Sequence, residues 1–155
     1  MDLCLKDMLK IEATALAGLF AGNAMYINAA AHPARKNLDT AVCRKVWKEE
    51  FLRAKKFQGG MVVAGTIAGL GAFYLDESDR RMLWLAGSGV FLSIFPYTLI
   101  FMFPDIKKNL ADDVMETAGE TWIRNHINRW NKQHMVRTVL GFTSFGIFLY
   151  ALCKN

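Results

Sequence analysis

Three residues near the carboxyl end of the chain could together move a proton and hold a negative charge. They form the pattern Trp130-x-x-x-His134-x-x-Arg137, whose spacings of four and three place them on one face of a helix. Histidine exchanges a proton near neutral pH, and a guanidinium group stabilises an oxyanion or phenolate as it forms. This face therefore suits removal of a proton from a weakly acidic, hydrophobic molecule held between helices.

A similar group of residues follows the first long apolar segment, in the run His32-Pro33-Ala34-Arg35. If the first and last apolar segments are neighbours, two imidazoles, two guanidinium groups and an indole converge at one end of them. A second interpretation stays open, because Trp, Arg and His are also favoured at the headgroup level of a membrane. Asn23 and Asn28 lie deeper, where each could contact a ligand or only form an interhelical hydrogen bond.

The residue patterns of metal and phosphate sites are missing from the sequence. The chain has only three His, and His126 and His134 are about two helical turns apart, too far to share one ion easily. No Gly-rich phosphate loop and no serine elbow occur. We therefore predict neither a metal site nor a nucleotide site.

The elements that must position these residues are long apolar segments. The chain has 155 residues, of which 53% are hydrophobic, with a net charge of +5 and a mean hydropathy of +0.16. Its apolar residues fall into four blocks, each about long enough to cross a bilayer, over about residues 11–31, 59–75, 82–103 and 135–153. A soluble bundle would need a polar face on each helix, and residues 61–73 and 82–103 have none. We predict a single domain over residues 1–155, an all-α membrane protein with a bundle of four transmembrane helices.

The segments between the spans carry further helical patterns. Residues 39–57 have apolar side chains at helical spacing with Lys and Glu between them, which predicts an amphipathic helix lying on the membrane surface with Trp47 at headgroup depth. Residues 111–134 are helical in pattern and are expected to run straight into the fourth span. We thus expect amphipathic helices in loops one and three.

The charges predict an orientation. Loops one and three, together with the edge of the fourth span, hold most of the 19 lysine and arginine residues. By the positive-inside rule these loops face the cytosol or the mitochondrial matrix, and both termini face the opposite side. The excess of basic over acidic residues thus indicates membrane topology and contact with anionic lipid rather than nucleic-acid binding. Which membrane holds the protein stays open, with the mitochondrial inner membrane among the candidates.

Small residues and cysteines add two further expectations. The pairs Gly18-x-x-x-Gly22 and Gly65-x-x-x-Gly69 let helix backbones approach closely within a membrane. Of the three cysteines, Cys4 and Cys153 would share one side of the membrane and Cys43 would lie opposite. The first two could form a disulfide, or all three could be free thiols.

Several short motifs resemble one family of small four-span membrane proteins. They are Leu19-Phe20-Ala21-Gly22 with Tyr26, His32-Pro33-Ala34-Arg35, Trp47, Arg53-Ala54 before Gln58, Pro96-Tyr97-Thr98-Leu99 with Pro104, and Arg129-Trp130 with His134 and Val136-Arg137-Thr138-Val139-Leu140-Gly141. On these residues the sequence resembles the anthrone oxygenase family over nearly its whole length.

The resemblance implies a reaction and roles for individual residues. It implies an oxygenase without a cofactor that converts an anthrone to an anthraquinone with molecular oxygen, through an electron-rich carbanion or phenolate. His134 would be the base, with Arg137 as its catalytic partner, and Arg35 would help Arg137 to hold the anion. Substrate contacts would come from Trp130 and Tyr97, which flank the ring system, and from the binding residues His32, Arg35 and Asn23. The partners would be membrane lipid and a hydrophobic aromatic or quinone-like small molecule.

A second class of function stays open at this point. The chain could instead be a non-catalytic accessory subunit that packs with other membrane subunits into a larger complex, for example in respiratory-chain assembly. An enzyme should have an apolar cavity near His134, whereas a packing subunit should have that region filled by side chains or lipid.

Overall fold

The fold is built from helices joined by short turns. A computed structural model describes residues 4–154, and no strand occurs within that part of the chain. Its helices are α1 (Leu5–Tyr26), α2 (His32–Lys36), α3 (Thr40–Leu75), α4 (Arg81–Leu92), α5 (Ile94–Tyr97), α6 (Phe103–Leu110), α7 (Val114–Thr117) and α8 (Gly119–Cys153). Two π-helical turns, Ile27–Ala31 and Thr98–Met102, join α1 to α2 and α5 to α6.

The three prolines account for the interruptions in two of the long helical runs. Proline has no N–H, and its ring crowds the carbonyl group four residues earlier. For Pro33 and Pro104 that carbonyl lies inside a π-helical turn, and for Pro96 it belongs to Leu92, where α4 ends. The wider π turns accommodate the rings of Pro33 and Pro104 without breaking the run, and such turns are frequent at functional sites.

The four long runs pack as a bundle in which α1 and α4 lie diagonally opposite. Helix α1 contacts α3 and α8, and α4 contacts the same two helices. Their shared core contains Ala13, Ala17, Phe20, Phe91 and Phe148. A side chain at Gly65 would strike the Phe91 ring, and one at Gly69 would strike Ser88, so this pair lies at close helix contacts as predicted.

Three helical runs of the described chain are long and apolar enough to cross a membrane. They cover Thr40–Leu75, Arg81–Leu110 and Gly119–Cys153 and contain the predicted spans 59–75, 82–103 and 135–153. The expected all-helical membrane class is therefore supported, but the count of four spans is not confirmed. The predicted first span, residues 11–31, is helical, but α1, whose 22 residues include Lys10 and Glu12, is not among the three.

Residues 39–57 are helical almost throughout, but a separate helix lying on the membrane surface is not confirmed. Helix α3 begins at Thr40, where the Asp39 side chain accepts a hydrogen bond from the Ala41 N–H at 2.9 Å, and continues without a break to Leu75. Trp47 is 0% exposed and packs inside the protein, because α8 extends beside this half of α3 and brings His126 and Trp130 against it. The second expected loop helix, over residues 111–134, is interrupted at Ala118 between α7 and α8. From Gly119 onward α8 runs without a break through the fourth predicted span.

A buried ion pair fastens the end of the bundle that holds the start of α1. Lys10 Nζ lies 2.7 Å from Asp76 Oδ2, with the two side chains 1% and 3% exposed. Burial raises the pKa of Asp76, but hydrogen bonds from Lys10 and the Ser78 backbone outweigh it and lower the pKa from 3.8 to about 2. Asp76 therefore stays ionised over the physiological range and ties α1 to the turn after α3.

Candidate functional site

The candidate site lies at the opposite end of the bundle, where α2, the first half of α3 and the middle of α8 meet. A second apolar cluster supports this region, with Trp47, Met102, Ile123 and Trp130 among its members. His134 and Arg137 point into the protein from α8 and are 1% and 8% exposed. Their spacing of three on one helix thus has the predicted effect of placing both side chains on an inward face.

The orientation of the His134 ring is fixed by Asn28 in the π turn. Asn28 Nδ2 donates to the Asn131 carbonyl oxygen at 2.9 Å, and a carbonyl can only accept. Asn28 Oδ1 therefore faces His134 Nδ1 at 3.2 Å and also accepts from Thr138 Oγ1 at 2.6 Å. The imidazole must carry its proton on Nδ1 to use this acceptor, which leaves the lone pair on Nε2.

Arg137 is held by a second polar chain that crosses three helices. Its Nη2 donates to Gln58 Oε1 at 2.7 Å, and Gln58 Nε2 donates to Asn23 Oδ1 at 2.6 Å. The guanidinium carbon also lies 5.7 Å from the centre of the Phe20 ring. The salt bridges of residues 4–154 include none to Arg137, so its charge is held by neutral groups.

Arg35 and two tryptophans complete the surroundings of His134. Arg35, 2% exposed, forms an ion pair with Glu50, and its guanidinium carbon lies 5.6 Å from the centre of the Trp130 ring. The Trp130 ring centre lies 4.9 Å from that of His134 and 5.7 Å from that of Trp47. Cations and π-faces attract at such separations, so the rings and guanidinium groups form one packed unit.

These side chains enclose a small cavity. It has about 20 Å³ of room, enough for one water molecule, and is lined by residues that include Arg35, Trp47, Gln58, Trp130, His134 and Arg137. Several of their N–H groups are buried and find no acceptor within the described chain: Arg35 Nε and Nη2, Trp47 Nε1, Trp130 Nε1 and Arg137 Nε. Several of the side chains around the cavity thus carry hydrogen-bond donors without acceptors.

A larger apolar crevice lies beside the cavity, between α3 and the α4–α6 run. It has about 160 Å³ of room, and its walls include Val62, Ile94 and Phe95. Phe51, Lys55 and Arg137 line both spaces. These three side chains therefore separate the small cavity from the apolar crevice.

Not all of the predicted site residues meet. Arg35, Trp130, His134 and Arg137 line one cavity, as expected from neighbouring first and last helical runs. Asn23 reaches Arg137 only through Gln58.

Tyr97 lies near the site without lining its cavity, and His32 lies apart from it. The Tyr97 hydroxyl donates to the Gln133 carbonyl at 3.3 Å, and its ring packs at 5.3 Å from Phe101 and against the apolar cluster that contains Trp130. His32 lines a separate hollow with Cys43 and Arg124. His32 and His134 therefore do not line the same cavity, and the expected convergence of two imidazoles is not confirmed.

Sequence reasoning missed Gln58, Glu50 and the buried role of Trp47. One signal could have found two of them: Trp47, Phe51, Ala54 and Gln58 recur at spacings of four, three and four, which is one face of a helix. The prediction of a surface helix that ends at Phe57 left Gln58 out of this face. Within residues 4–154 no three His, Cys, Asp or Glu side chains are grouped to hold a metal ion.

Comparison with known proteins gives one match. A family model described as anthrone oxygenase matches residues 47–147, more than half of the 155-residue chain. No curated protein and no solved structure matches. The matched range contains Trp47, Gln58, Trp130, His134 and Arg137, whereas Asn28 and Arg35 come from the helical run that precedes it.

Proposed function

Because this chain belongs to the anthrone oxygenase family, we propose that it oxygenates a hydrophobic, anthrone-like aromatic molecule within a membrane, using molecular oxygen and no cofactor. The observation that carries the proposal is the shared burial of His134, Arg137 and Arg35 around one cavity. A base and two guanidinium groups in a place closed to bulk water are what proton removal from a weak carbon acid requires.

His134 is the proposed base. With its Nδ1 proton directed at Asn28 Oδ1, the Nε2 lone pair is the site that accepts a proton from the substrate. The ring is held on its other side by Trp130 at 4.9 Å between ring centres. A fixed tautomer and a fixed ring plane spare the enzyme the reorganisation that a mobile imidazole would need.

Arg137 is the proposed electrostatic partner of the substrate anion. Arg35 is already paired with the Glu50 carboxylate, whereas Arg137 is held by the neutral Gln58 amide. The charge of Arg137 is therefore the less compensated of the two, and it stabilises a phenolate or enolate oxygen most. Buried charge–charge interactions of this kind are stronger than in water because the surroundings are poorly polarisable.

The aromatic body of the substrate is assigned to the apolar crevice. A cavity of about 150 Å³ with apolar walls accommodates benzene, and the crevice offers about 160 Å³. A fused ring system enters with one ring in the crevice and its acidic edge at Arg137. Rotation of Phe51 and Arg137, which line both spaces, opens the wall between them and brings the acidic C–H to His134.

The proposed reaction balances without a metal or flavin. Proton transfer to His134 leaves a carbanion stabilised as a phenolate. One electron passes to oxygen, and the resulting radical and superoxide combine to form a C–O bond in a peroxide anion. Protonated His134 returns its proton to this anion, which gives a hydroperoxide and regenerates the base. Loss of water across the O–O bond and the remaining C–H gives the quinone carbonyl, so one O₂ yields one quinone and one water.

The membrane arrangement is also proposed. The three apolar runs Thr40–Leu75, Arg81–Leu110 and Gly119–Cys153 cross the bilayer, and α1 crosses with them as the fourth span. The basic residues of loops one and three favour the cytosolic or matrix side for the catalytic end, and both termini lie opposite. The substrate reaches the crevice from the surrounding lipid.

One observation favours the alternative of a non-catalytic accessory subunit. The cavity beside His134 has room for one water molecule only, because Trp47 and Trp130 fill the surrounding space. Under this alternative the tryptophans are packing residues, and the protein would be recovered in a stable complex with other membrane subunits.

Oxygen uptake by the purified, detergent-solubilised protein with an anthrone separates the two proposals. Loss of the base in His134→Gln should slow uptake by about two to four powers of ten, and Arg137→Gln should also slow it strongly. Arg53→Gln is the matched control for charge, since Arg53 is 84% exposed on the same end of the bundle. The enzyme proposal would be overturned if the wild-type protein and His134→Gln took up oxygen at the same rate and the protein co-purified with other subunits.

A further inference from the structure

The small cavity between α2, α3 and α8 has the chemistry of an anion site. We propose that it binds one small monovalent inorganic anion of about the size of chloride, held by Arg35, Arg137, Trp47 and Trp130. This site is distinct from the apolar crevice assigned to the aromatic substrate, with Arg137 on the wall that the two spaces share.

The first argument is the set of hydrogen-bond donors. Five buried N–H-bearing nitrogen atoms of these four side chains have no acceptor within residues 4–154. The four residues are between 0% and 8% exposed, so bulk water does not satisfy them. A buried donor without an acceptor costs roughly 1–3 kcal/mol, and all five belong to side chains that line one cavity. An indole or guanidinium N–H can only donate, so the matching ligand is an acceptor.

The second argument is charge. The cavity wall carries the cations Arg35, Arg137 and Lys55 and the single carboxylate of Glu50, which is paired with Arg35. Arg137 donates to the neutral Gln58 amide. Buried charges in proteins are normally paired because an isolated one is costly to remove from water. An anion beside Arg137 supplies that pairing.

The third argument is size. About 20 Å³ of room suits a monatomic anion or a diatomic one, and Trp47 and Trp130 pack at 5.7 Å with perpendicular rings, which leaves no larger opening between them. Sulfate, carboxylates and organic anions are too large. The site should therefore distinguish bromide and chloride from gluconate.

The anion site bears on catalysis only if the proposed function holds. Superoxide formed from oxygen in that reaction is a small monovalent anion, so it fits the same cavity. A bound halide would then compete with oxygen and leave the affinity for the aromatic substrate unchanged. Anion binding itself requires neither oxygen nor the aromatic molecule, which allows it to be tested separately.

The test compares sodium bromide with sodium gluconate at constant ionic strength, using the purified full-length protein without substrate. Bromide should raise Tm in a saturable manner, because a ligand that binds only the folded state stabilises it. It should also quench tryptophan fluorescence saturably, since a heavy anion would lie against Trp47 and Trp130. Gluconate should do neither. A Tm that changes equally in both salts would overturn the proposal.

Variants locate the anion. Trp47→Phe and Trp130→Phe keep an aromatic ring but remove one N–H each, and each should weaken bromide binding by roughly tenfold or more, as expected for a hydrogen bond to a charged group. Arg137→Gln should abolish the bromide effect on Tm, whereas Arg53→Gln, which removes the same charge from an exposed position, should preserve it. An equal response in the two arginine variants would contradict the proposed location, and if Arg137→Gln does not fold, the two tryptophan variants decide.

Oxygen-uptake kinetics in bromide and in gluconate distinguish superoxide from a resident halide as the anion that occupies the cavity. If superoxide uses the site, bromide should raise the KM for oxygen and not the KM for the anthrone. Saturable bromide binding without any effect on uptake would assign the cavity to a resident halide, with the anion site intact and its link to catalysis rejected.

Discussion

His134 and Asn28, 106 residues apart in the sequence, meet with Nδ1 and Oδ1 3.2 Å apart. Asn28 lies in the π turn before Pro33, and its other hydrogen bonds, to Asn131 and from Thr138, link it to the helix that carries His134. The amide thus sets both the tautomer of the imidazole and the distance between α8 and the end of α1. If His134 is the base, as proposed, Asn28 acts through it as a positioning residue.

The first prediction concerns this positioning. Asn28→Leu removes the acceptor of His134 Nδ1–H, so kcat for anthrone oxidation should fall by at least about tenfold, less than the loss expected on removing the base itself. The KM for the anthrone should not change, because Asn28 lines neither the cavity nor the crevice. Asn28→Asp keeps an acceptor oxygen and should retain more activity than Asn28→Leu. An unchanged kcat in Asn28→Leu would contradict the role assigned to Asn28.

The part of the site that lies on α8 was predictable from sequence. Trp130, His134 and Arg137 follow helical spacing without an intervening Pro or Gly, and an arginine near the start of an apolar span must face inwards. Periodicity was sufficient here because one uninterrupted helix carries all three residues, and the structure keeps them on one inward face.

The position of His32 was not predictable in the same way. In an α-helix, Asn28 and His32 would share a face because they are four residues apart. The π turn Ile27–Ala31 uses more than four residues per turn, so His32 rotates away into the hollow with Cys43 while Arg35 reaches the cavity. Pro33 signals some interruption, but not whether the run kinks, breaks or widens.

The continuity of α3 was hidden by its composition. Charged residues dominate its first half and Gly-Gly follows, which is typical of a surface helix ending before a span. The structure keeps one helix because both of its halves contact α8. Trp47 packs against the apolar side chains of α8, and Gln58 accepts a hydrogen bond from Arg137. Such tertiary contacts override local propensity, and one sequence does not reveal which helix will supply them.

A second prediction tests the close contact of α4 with α8. A methyl group at Gly87 would overlap the Phe148 ring, which is fixed by stacking on Trp84 at 5.5 Å. Gly87→Ala should therefore lower the free energy of unfolding by about 1–3 kcal/mol, seen as a lower Tm in detergent. Gly89→Ala on the same helix meets nothing within 4 Å and should not lower Tm. Equal Tm values for the two variants would contradict the packing described.

A third prediction follows from the Lys10–Asp76 pair. The pKa of Asp76 is about 2 in the folded protein, below its ordinary value of 3.8, so its stabilising contribution is complete above about pH 4 and is lost as the pH falls through about 2. Wild-type Tm should exceed that of Asp76→Asn at pH 5–7, by an amount that shrinks on acidification between about pH 4 and 2. Asp79→Asn, in the same exposed turn, is the control and should follow the wild type. A Tm gap for Asp76→Asn that does not depend on pH would rule out this linkage.

The last prediction tests the proposed four spans and their orientation. The Lys10–Asp76 contact places the start of α1 beside the turn after α3, so Cys4 and Ser78 should lie on one side of the membrane, with Asp112, which is 96% exposed, on the other. Single-cysteine proteins carrying Cys4, Ser78→Cys or Asp112→Cys would be treated in sealed vesicles with an impermeant maleimide. Cys4 and Ser78→Cys should react from the side opposite the basic loops, and Asp112→Cys from the basic side only.

All three should react after detergent is added, which controls for burial. If Cys4 and Asp112→Cys react from the same side, α1 does not cross the membrane. If Ser78→Cys and Asp112→Cys react from the same side, the Arg81–Leu110 run does not cross it.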